Sequence, residues 1–188
     1  MVEVRFVSSN EHKIEETRSI LCGQSITVKP VPLKIEELQT EDTALLVRRK
    51  ALDAFRQVGR PLFVEHTSLC LDQLNGLPDG LTRVFWEKLE AERFTELFGG
   101  GSGNDGALAR THICYIDGFR FHFFSGETRG RIARRPRGDQ GFQWDCVFIP
   151  EGYDGTFAEL AGTKNEISMR RKALDAFAEF LNRTSCHV

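Results

Sequence analysis

The feature that most limits the fold is the alternation of strand-like and helix-like segments along the chain. The segment "VEVRFV" at residues 2–7 alternates polar and apolar residues as a strand does, and "SSNEHKIEETRSIL" at residues 8–21 is typical of a helix. Residues 44–58 predict a second helix with one apolar face, formed by Ala44, Val47, Ala51, Phe55 and Val58. "RPLFVEHTSLCLD" at residues 60–72 follows as a second strand. This order predicts an α/β fold.

Capping and turn residues predict where the other helices and strands begin and end. Ser8 and Glu11 stand at the spacing of a capping box and predict the start of the first helix. The turn "LNGLPDG" leads into a helix that ends near Phe98, and the glycine-rich loop at 99–106 lacks the spacing and the basic residue of a phosphate loop. Asp117-Gly118 predicts a β-hairpin, and "ISMRRKALDAFAEFL" predicts a closing amphipathic helix.

Composition excludes several classes of protein. A chain of 188 residues with 40% hydrophobic residues suits one sizeable globular domain, residues 1–188. A net charge of −2 gives no overall attraction to a nucleic acid polymer or to an anionic membrane. There is no long apolar run and no secretory signal, so the cytoplasm is the expected location. Five widely spaced cysteines without a C-x-x-C pair favour buried thiols over a disulfide framework.

Two clusters of polar residues suggest a phosphate and metal site. Ser9, Asn10 and Lys13 crowd the first turn of a helix, where free backbone N–H groups attract anions; capping and a solvated lysine would produce the same pattern. The acidic segment "KIEELQTED", which includes Glu37, and the strand residue Glu65 offer the oxygen ligands that magnesium prefers. Solvation in a loop is the alternative for the acidic residues.

Two further segments suggest recognition of a flat heterocycle. In "PRGDQGFQWDCVFIPEGYDGTFAEL" at residues 136–160, the aromatic residues Phe142 and Trp144 stand beside Asp145, so a ring could stack there while its N–H groups meet a carboxylate. An aromatic core strand is the alternative. In "TKNEISMRRKAL", phosphate binding competes with capping and solvated charge for the cluster of Lys164, Ser168 and Arg170.

Together these segments resemble the inosine triphosphate pyrophosphatase family over nearly the whole chain. The matching pieces are "FVSSNEHKIEE", "IEELQ", "LFVEHTSLCLDQLNGLPDG", "FSGETRGRI", "PRGDQGFQWDCVFIPEGYDGTFAEL" and "KNEISMRRKAL". The resemblance implies a two-lobed α/β fold with a long twisted mixed sheet flanked by helices. It also implies an active-site cleft between the lobes, a homodimer, and a purine nucleoside triphosphate bound with Mg²⁺.

The resemblance assigns roles to individual residues. Ser9, Asn10 and Lys13 would hold the triphosphate, with Lys50 and Lys164 adding positive charge. The carboxylates of Glu37 and Glu65 would lie on the metal side. The base would be contacted by Phe142, Trp144, Asp145, Ser168 and Arg170.

The chain departs from the family pattern at two positions. The family usually has two adjacent acidic residues followed by Thr or Ser, whereas this chain has Glu65-His66-Thr67, so the residue expected to activate water is an imidazole. An imidazole favours a softer ion such as Mn²⁺ over Mg²⁺. The family usually has Ser-His-Arg where this chain has Ser168-Met169-Arg170, which removes a base-contacting imidazole.

The sequence therefore predicts a metal-dependent pyrophosphatase for aberrant purine nucleotides, with His66, Glu65 and Lys13 as the catalytic residues. Two alternatives remain open. One is a nucleotide-binding or sensor paralogue that kept the pocket and lost the base. The other is a house-cleaning pyrophosphatase for another modified nucleotide.

Overall fold

Six strands form one mixed sheet in the computed structural model, which describes residues 2–100, 104–139 and 142–185. The strands are β1 (Val2–Val7), β2 (Ile26–Val31), β3 (Leu62–Leu71), β4 (Gly106–Ile116), β5 (Phe121–Ile132) and β6 (Phe148–Pro150). The helices are α1 (Glu11–Leu21), α2 (Thr43–Val58), α3 (Thr82–Phe98), α4 (Phe157–Ile167) and α5 (Met169–Ser185).

The strand order is β2-β1-β3-β4-β5-β6. β1 pairs in parallel with both β2 and β3, whereas β3, β4, β5 and β6 pair antiparallel in succession. The predicted α/β class with a mixed sheet between helices is confirmed. So is the hairpin between β4 and β5, where Gly118 has a φ of +109° that strongly favours glycine.

β3 is the central strand, and all ten of its residues are buried. Neighbouring residues point to opposite faces of the sheet. Phe63 packs in the apolar cluster that includes Phe177 of α5, whereas Val64 packs in the cluster that includes Val47 of α2. Because both faces are covered by helices, the strand is apolar along most of its length, and its few polar side chains must find partners inside the protein.

The predicted cap of α1 was wrong. Asn10 is the N-cap, and its side chain accepts a hydrogen bond from the Lys13 backbone N–H at 3.1 Å. Ser8 instead accepts from the backbone N–H of Asn10, two residues before the N-cap and too early to cap the helix. A capping box does occur at the start of α4, between Thr156 and Glu159, where the sequence analysis placed no helix.

Some of the remaining predictions are confirmed, and some elements were missed. The helix that ends at Phe98 and the closing helix are confirmed, whereas β2, β6 and α4 were not predicted. The thiols of Cys70, Cys114 and Cys146 are buried as expected, Cys22 is exposed, and Cys186 lies outside the described residues. Residues 101–103 of the glycine-rich loop also lie outside them. Within the described part of the chain, no helix is both long and apolar enough to cross a membrane.

Candidate functional site

A cavity of about 450 Å³ lies where the N-terminus of α1, the middle of β3 and the start of α3 meet. Its wall brings together residues that are far apart in the sequence, because β1 and β3 are neighbours in the sheet. Among the predicted site residues it is lined by Ser9, Asn10, Lys13, Glu37, Lys50, Glu65, His66 and Trp144.

The cationic side of this cavity begins at α1. Asn10 caps the helix through its Oδ1 atom, and its side-chain N–H groups donate no hydrogen bond within the described part of the chain, so they remain for a ligand. The ammonium of Lys13 lies 3.2 Å from Oε1 of Glu65, and 13% of the lysine side chain is exposed. Burial lowers the pKa of Lys13 from its usual value, although Glu65 opposes the shift. Lys13 therefore stands at the cavity wall, held there by a carboxylate.

Glu65 is the most enclosed acid of the site. Arg170 donates to both of its carboxylate oxygens at 2.8 and 2.9 Å, and Thr67 donates at 2.8 Å. Burial alone would raise the pKa of Glu65, but Arg170 and Lys13 hold it well below the usual range. Both oxygens are therefore already engaged by cations.

Glu37, Lys50 and His66 form a second charged group on the cavity wall. The ammonium of Lys50 donates to Glu37 at 2.6 Å and to the backbone carbonyl of Glu65 at 3.0 Å. Nδ1 of His66 lies 4.0 Å from Oε1 of Glu37. Burial alone would raise the pKa of Glu37, but His66 and Lys50 hold it well below the usual range. Burial lowers the pKa of His66, so a neutral imidazole is favoured.

A second cavity, of about 360 Å³, is lined by two of the residues predicted to contact a base and by one of the predicted lysines. Phe142, Asp145 and Lys164 line it, and the Lys164 ammonium stands 4.4 Å from the centre of the Phe142 ring. The ammonium also donates to Asp145 and to Glu16. Burial raises the pKa of Asp145 to about 6, although Lys164 opposes the shift.

The other predicted base contacts, Trp144, Ser168 and Arg170, are buried, and Trp144 also lines the first cavity. Trp144 and Met169 are 2% and 1% exposed and pack in the same apolar cluster. Ser168 is fully buried and accepts a hydrogen bond from the backbone N–H of Arg171 at the start of α5. Arg170 is fully buried and lines neither cavity. The structure thus divides the predicted base contacts among the first cavity, the second cavity and the core.

Glu16 is a site residue that the sequence analysis missed. It accepts hydrogen bonds from both Lys164 and Arg170, so it joins the two cavities through one network of ion pairs. Its position three residues after Lys13, on the same face of α1, is the signal that would have pointed to it. Helix α3 also contributes Arg83, Trp86 and Glu87 to the first cavity. Charged residues are spread evenly along α3, so its sequence did not indicate that these residues line a site.

The charges of the site are balanced. Lys13, Lys50, Lys164 and Arg170 pair with Glu16, Glu37, Glu65 and Asp145. Such a network can exchange partners with a bound molecule that carries both negative charge and hydrogen-bond donors, because each cation released from a carboxylate can be taken up by that molecule. In the described ranges, no three His, Cys, Asp or Glu side chains are close enough together to hold a metal ion by themselves.

These features define an α/β protein with a charged cleft beside the central strand of a mixed sheet. Residues 4–180 match the model of the Ham1 family. The chain belongs to this family.

Named relatives cover nearly the whole chain. An inosine triphosphate pyrophosphatase of Candida glabrata is 38% identical over 95% of this chain and 97% of its own length. A dITP/XTP pyrophosphatase of Methanopyrus kandleri is 37% identical over 95% and 96% of the two chains. The solved structure of a HAM1 protein from Coxiella burnetii superposes with a TM-score of 0.80 at 26% identity, covering 97% of this chain and all of that one.

Proposed function

We propose that the protein is a nucleoside triphosphate pyrophosphatase that hydrolyses aberrant purine nucleotides, namely ITP, dITP and XTP, to the monophosphate and pyrophosphate. The observation that carries the proposal is the first cavity, in which the N-terminus of α1 and two lysines face two carboxylates and an imidazole. The activities named for relatives at 37–38% identity support it.

The phosphates would bind at the start of α1. Ser9, Asn10 and Lys13 offer donors there, and Lys50 adds charge from α2. A triphosphate competes with Glu65 for Lys13, because phosphate oxygens carry more negative charge than one carboxylate. The proposed role of these residues is to bind the substrate and to stabilise the charge that develops on the leaving pyrophosphate.

The base would bind at Phe142, with Asp145 accepting its ring N–H groups and Lys164 beside its carbonyl oxygens. Ser168 and Arg170 would support this pocket from the core, and Trp144 would form its inner wall. Met169 packs in the core, so its side chain offers no polar contact to a base. We therefore expect discrimination among purines to rest on Asp145 and Lys164.

A magnesium ion fits one part of the site. Magnesium is usually held by one or two carboxylates, with phosphates and waters as further ligands. Glu37 meets this requirement because it lines the cavity and only its Oε1 is engaged by Lys50. Glu65 would face the ion when Lys13 turns from its Oε1 to the nucleotide. Magnesium, or manganese in its place, would supply positive charge to the phosphates when bound.

His66 is the proposed general base, with Glu65 and Lys13 as the other catalytic residues. Its neutral imidazole can accept the proton of a water molecule as the water oxygen bonds to the α-phosphorus. The bond from that phosphorus to the oxygen bridging to the β-phosphate then breaks, and pyrophosphate leaves. Glu37 would stabilise the imidazolium that forms, since it faces Nδ1 at 4.0 Å.

The family resemblance also supports a single two-lobed domain, a homodimer and a cytoplasmic location. Size-exclusion chromatography with light scattering tests the dimer, which should elute at twice the 21.3 kDa chain mass.

The test of the proposed function is pyrophosphate release from ITP, XTP and dITP, with ATP and GTP as comparison substrates and with Mg²⁺ or Mn²⁺. Hydrolysis of the deaminated nucleotides should exceed that of ATP and GTP. Lys13→Met should lower kcat/KM at least about tenfold, whereas Lys29→Met, a change in an exposed lysine of β2, should leave it unchanged. No release above blank with any nucleotide and metal would reject the proposal.

A second candidate is a protein that binds nucleotides without turnover. Two observations favour it: an imidazole stands where the family has an acid, and both oxygens of Glu65 are engaged by Arg170. The variant His66→Asp separates the candidates. If His66 is the base, its replacement lowers kcat at least about tenfold. A gain of similar size would show that the native site is impaired, and calorimetry would then show tight binding with little hydrolysis.

A further inference from the structure

The edge of the sheet formed by β5 and β6 carries a further charged cavity. Its volume is about 490 Å³, and it lies where the end of β5 and the loop after it meet the loop after β6. Four arginines line it, namely Arg131, Arg134, Arg135 and Arg137. None of its lining residues lines the first or the second cavity, so this arginine cavity is a separate site.

Backbone hydrogen bonds hold these arginines in place. Arg131 lies in β5, which pairs with β6 at this end. Beyond the strand, the backbone N–H of Ala133 donates to the carbonyl of Val147 at 2.8 Å, and that of Arg137 donates to the carbonyl of Cys146 at 2.9 Å. Because the loop is anchored at both positions, a ligand that binds its side chains has little backbone to order.

The lining of the arginine cavity carries an excess of positive charge. Its four guanidinium groups stand with two carboxylates, Asp105 and Asp154, which leaves two positive charges, whereas the whole chain has a net charge of −2. Asp154 compensates Arg131 only weakly, because the two groups lie 4.0 Å apart and the Asp154 side chain is fully exposed. The cavity therefore attracts anions although the chain as a whole does not.

Arg134 and Arg135 remain for a ligand. Both are exposed, and neither has an ion-pair partner within residues 2–100, 104–139 and 142–185. Arg137 is less available, because the carboxylate of Glu159 lies 3.4 Å from its guanidinium. In the sequence, Arg134 and Arg135 lie between the segments "FSGETRGRI" and "PRGDQGFQWDCVFIPEGYDGTFAEL", so they are outside the pattern on which the proposed function rests.

We propose that the arginine cavity binds an inorganic polyphosphate anion, such as pyrophosphate or tripolyphosphate, through Arg134 and Arg135, with Arg131 beside them. A guanidinium group offers parallel N–H donors that match the oxygens of one phosphate group. Neighbouring phosphate groups of one polyphosphate can therefore engage neighbouring arginines, which a single phosphate ion cannot do as fully. The cavity is within the size range of small-molecule sites and has room for two or three linked phosphates.

The lining does not suit a strand of nucleic acid. Proteins that bind single strands combine a basic groove with aromatic side chains on which the bases stack. The apolar residues that line the arginine cavity are Ile132, Ala133 and Ile149, and none of its lining residues is aromatic. Asp105 and Asp154 also interrupt the positive surface. A compact anion fits this lining better than an extended one.

The arginine cavity must be distinguished from the first cavity, because pyrophosphate is the product of the proposed reaction and would also bind near Lys13. Binding at the arginines does not rest on that reaction. Calorimetry without divalent metal or nucleotide is therefore carried out on the full chain with Lys13→Met, which weakens the first cavity. Pyrophosphate and tripolyphosphate should each bind at one saturable site.

Adding Arg134→Gln and Arg135→Gln to this protein should weaken binding of both anions at least about tenfold. Adding Arg18→Gln and Arg120→Gln is the matched control, since it removes two exposed arginines that line none of the three cavities and should leave binding unchanged. Circular dichroism of each variant confirms that it is folded.

Four outcomes would overturn the proposal. In the first, Lys13→Met binds neither polyphosphate. In the second, the changes at Arg134 and Arg135 leave binding as it was. In the third, the control changes weaken it equally, which would indicate attraction by net charge alone. In the fourth, orthophosphate or a single-stranded oligothymidylate binds as tightly as tripolyphosphate, so that the site is not one for inorganic polyphosphate.

A measurement on the wild type covers the case in which a variant does not fold. Phenylglyoxal modifies arginine side chains, and mass spectrometry of peptides identifies the modified residues. Tripolyphosphate should protect Arg134 and Arg135 and leave the modification of Arg18 and Arg120 unchanged. Protection confined to other arginines would contradict the proposal. No turnover is measured, so absence of pyrophosphatase activity does not bear on this site.

Discussion

The polar side chains on the two faces of β3 differ in how fully their atoms are paired. On the face toward α5, Glu65 receives hydrogen bonds from Arg170 and Thr67 and faces Lys13. On the face toward α2, the next residue, His66, has an Nε2 atom with no hydrogen-bond partner among the described residues. Two adjacent residues of one buried strand thus lie in a saturated and an unsaturated environment.

This difference indicates that the polar side chains on the two faces contribute differently to stability. A buried ion network costs free energy to assemble but costs more to break, because every removed partner leaves an uncompensated charge. An unpaired neutral nitrogen carries a smaller penalty, and removing it relieves that penalty. We therefore expect changes at Glu65 and its partners to lower the stability of the fold strongly. Changes at His66 should affect stability little, so this residue can serve binding and catalysis.

The largest effect is expected from Arg170→Met. The change leaves Glu65 and Glu16 without their buried guanidinium and should lower the free energy of unfolding by about 3–5 kcal/mol. Unfolding by guanidinium chloride at pH 7 measures this loss of stability. The neighbouring Arg171→Met is the control, since Arg171 pairs with Asp175 near the surface and its loss should cost less than about 1 kcal/mol.

The double variant Glu65→Met/Arg170→Met sharpens this test. Replacing both partners by apolar groups restores the balance of positive and negative charge in the network, so the double variant should be more stable than Arg170→Met alone. Equal or lower stability of the double variant would show that packing, and not charge, accounts for the loss.

An intermediate effect is expected from pH at Asp145, which joins the same network through Lys164. The folded-state pKa of about 6 lies above the ordinary 3.8, so protonated Asp145 contributes stability that is complete below about pH 4 and is lost as the pH rises through about 6. Asp145→Asn mimics the protonated form.

The measurement is urea-induced unfolding of the wild type and of Asp145→Asn at pH 4 and pH 7. Because other titrating groups are common to both proteins, their difference isolates Asp145. Relative to the wild type, the variant should gain on the order of 1–3 kcal/mol between the two pH values. A pH-independent difference would mean that Lys164 keeps Asp145 ionised throughout.

The sequence predicted the parts of this architecture that depend on local pattern. The periodicity of residues 44–58 and the Asp117-Gly118 pair specified α2 and the β4–β5 hairpin, because hydrophobic period and turn chemistry act over a few residues. Short β6 and the broken helix α4, which has a φ of +29° at Ala161, carry no such period and were missed.

The site was predictable only where its residues carry a motif. The helix start with Lys13 and the acid Glu65 could be identified from the family pattern. Glu16 was missed because its partners are about 150 residues away in the chain.

The smallest effect is expected from His66→Phe. The phenyl ring keeps a planar side chain of somewhat larger volume. The change removes an Nε2 atom that has no partner among the described residues but also the Nδ1 atom that faces Glu37, so the free energy of unfolding should change by less than about 1 kcal/mol. His122→Phe is the matched control, since Nε2 of His122 lies 2.8 Å from Asp117 and its loss should destabilise by about 1 kcal/mol. If His66→Phe instead lowered the free energy of unfolding as much as Arg170→Met does, the side chains on both faces of β3 would contribute equally to stability. The expected difference between the two faces would then be wrong.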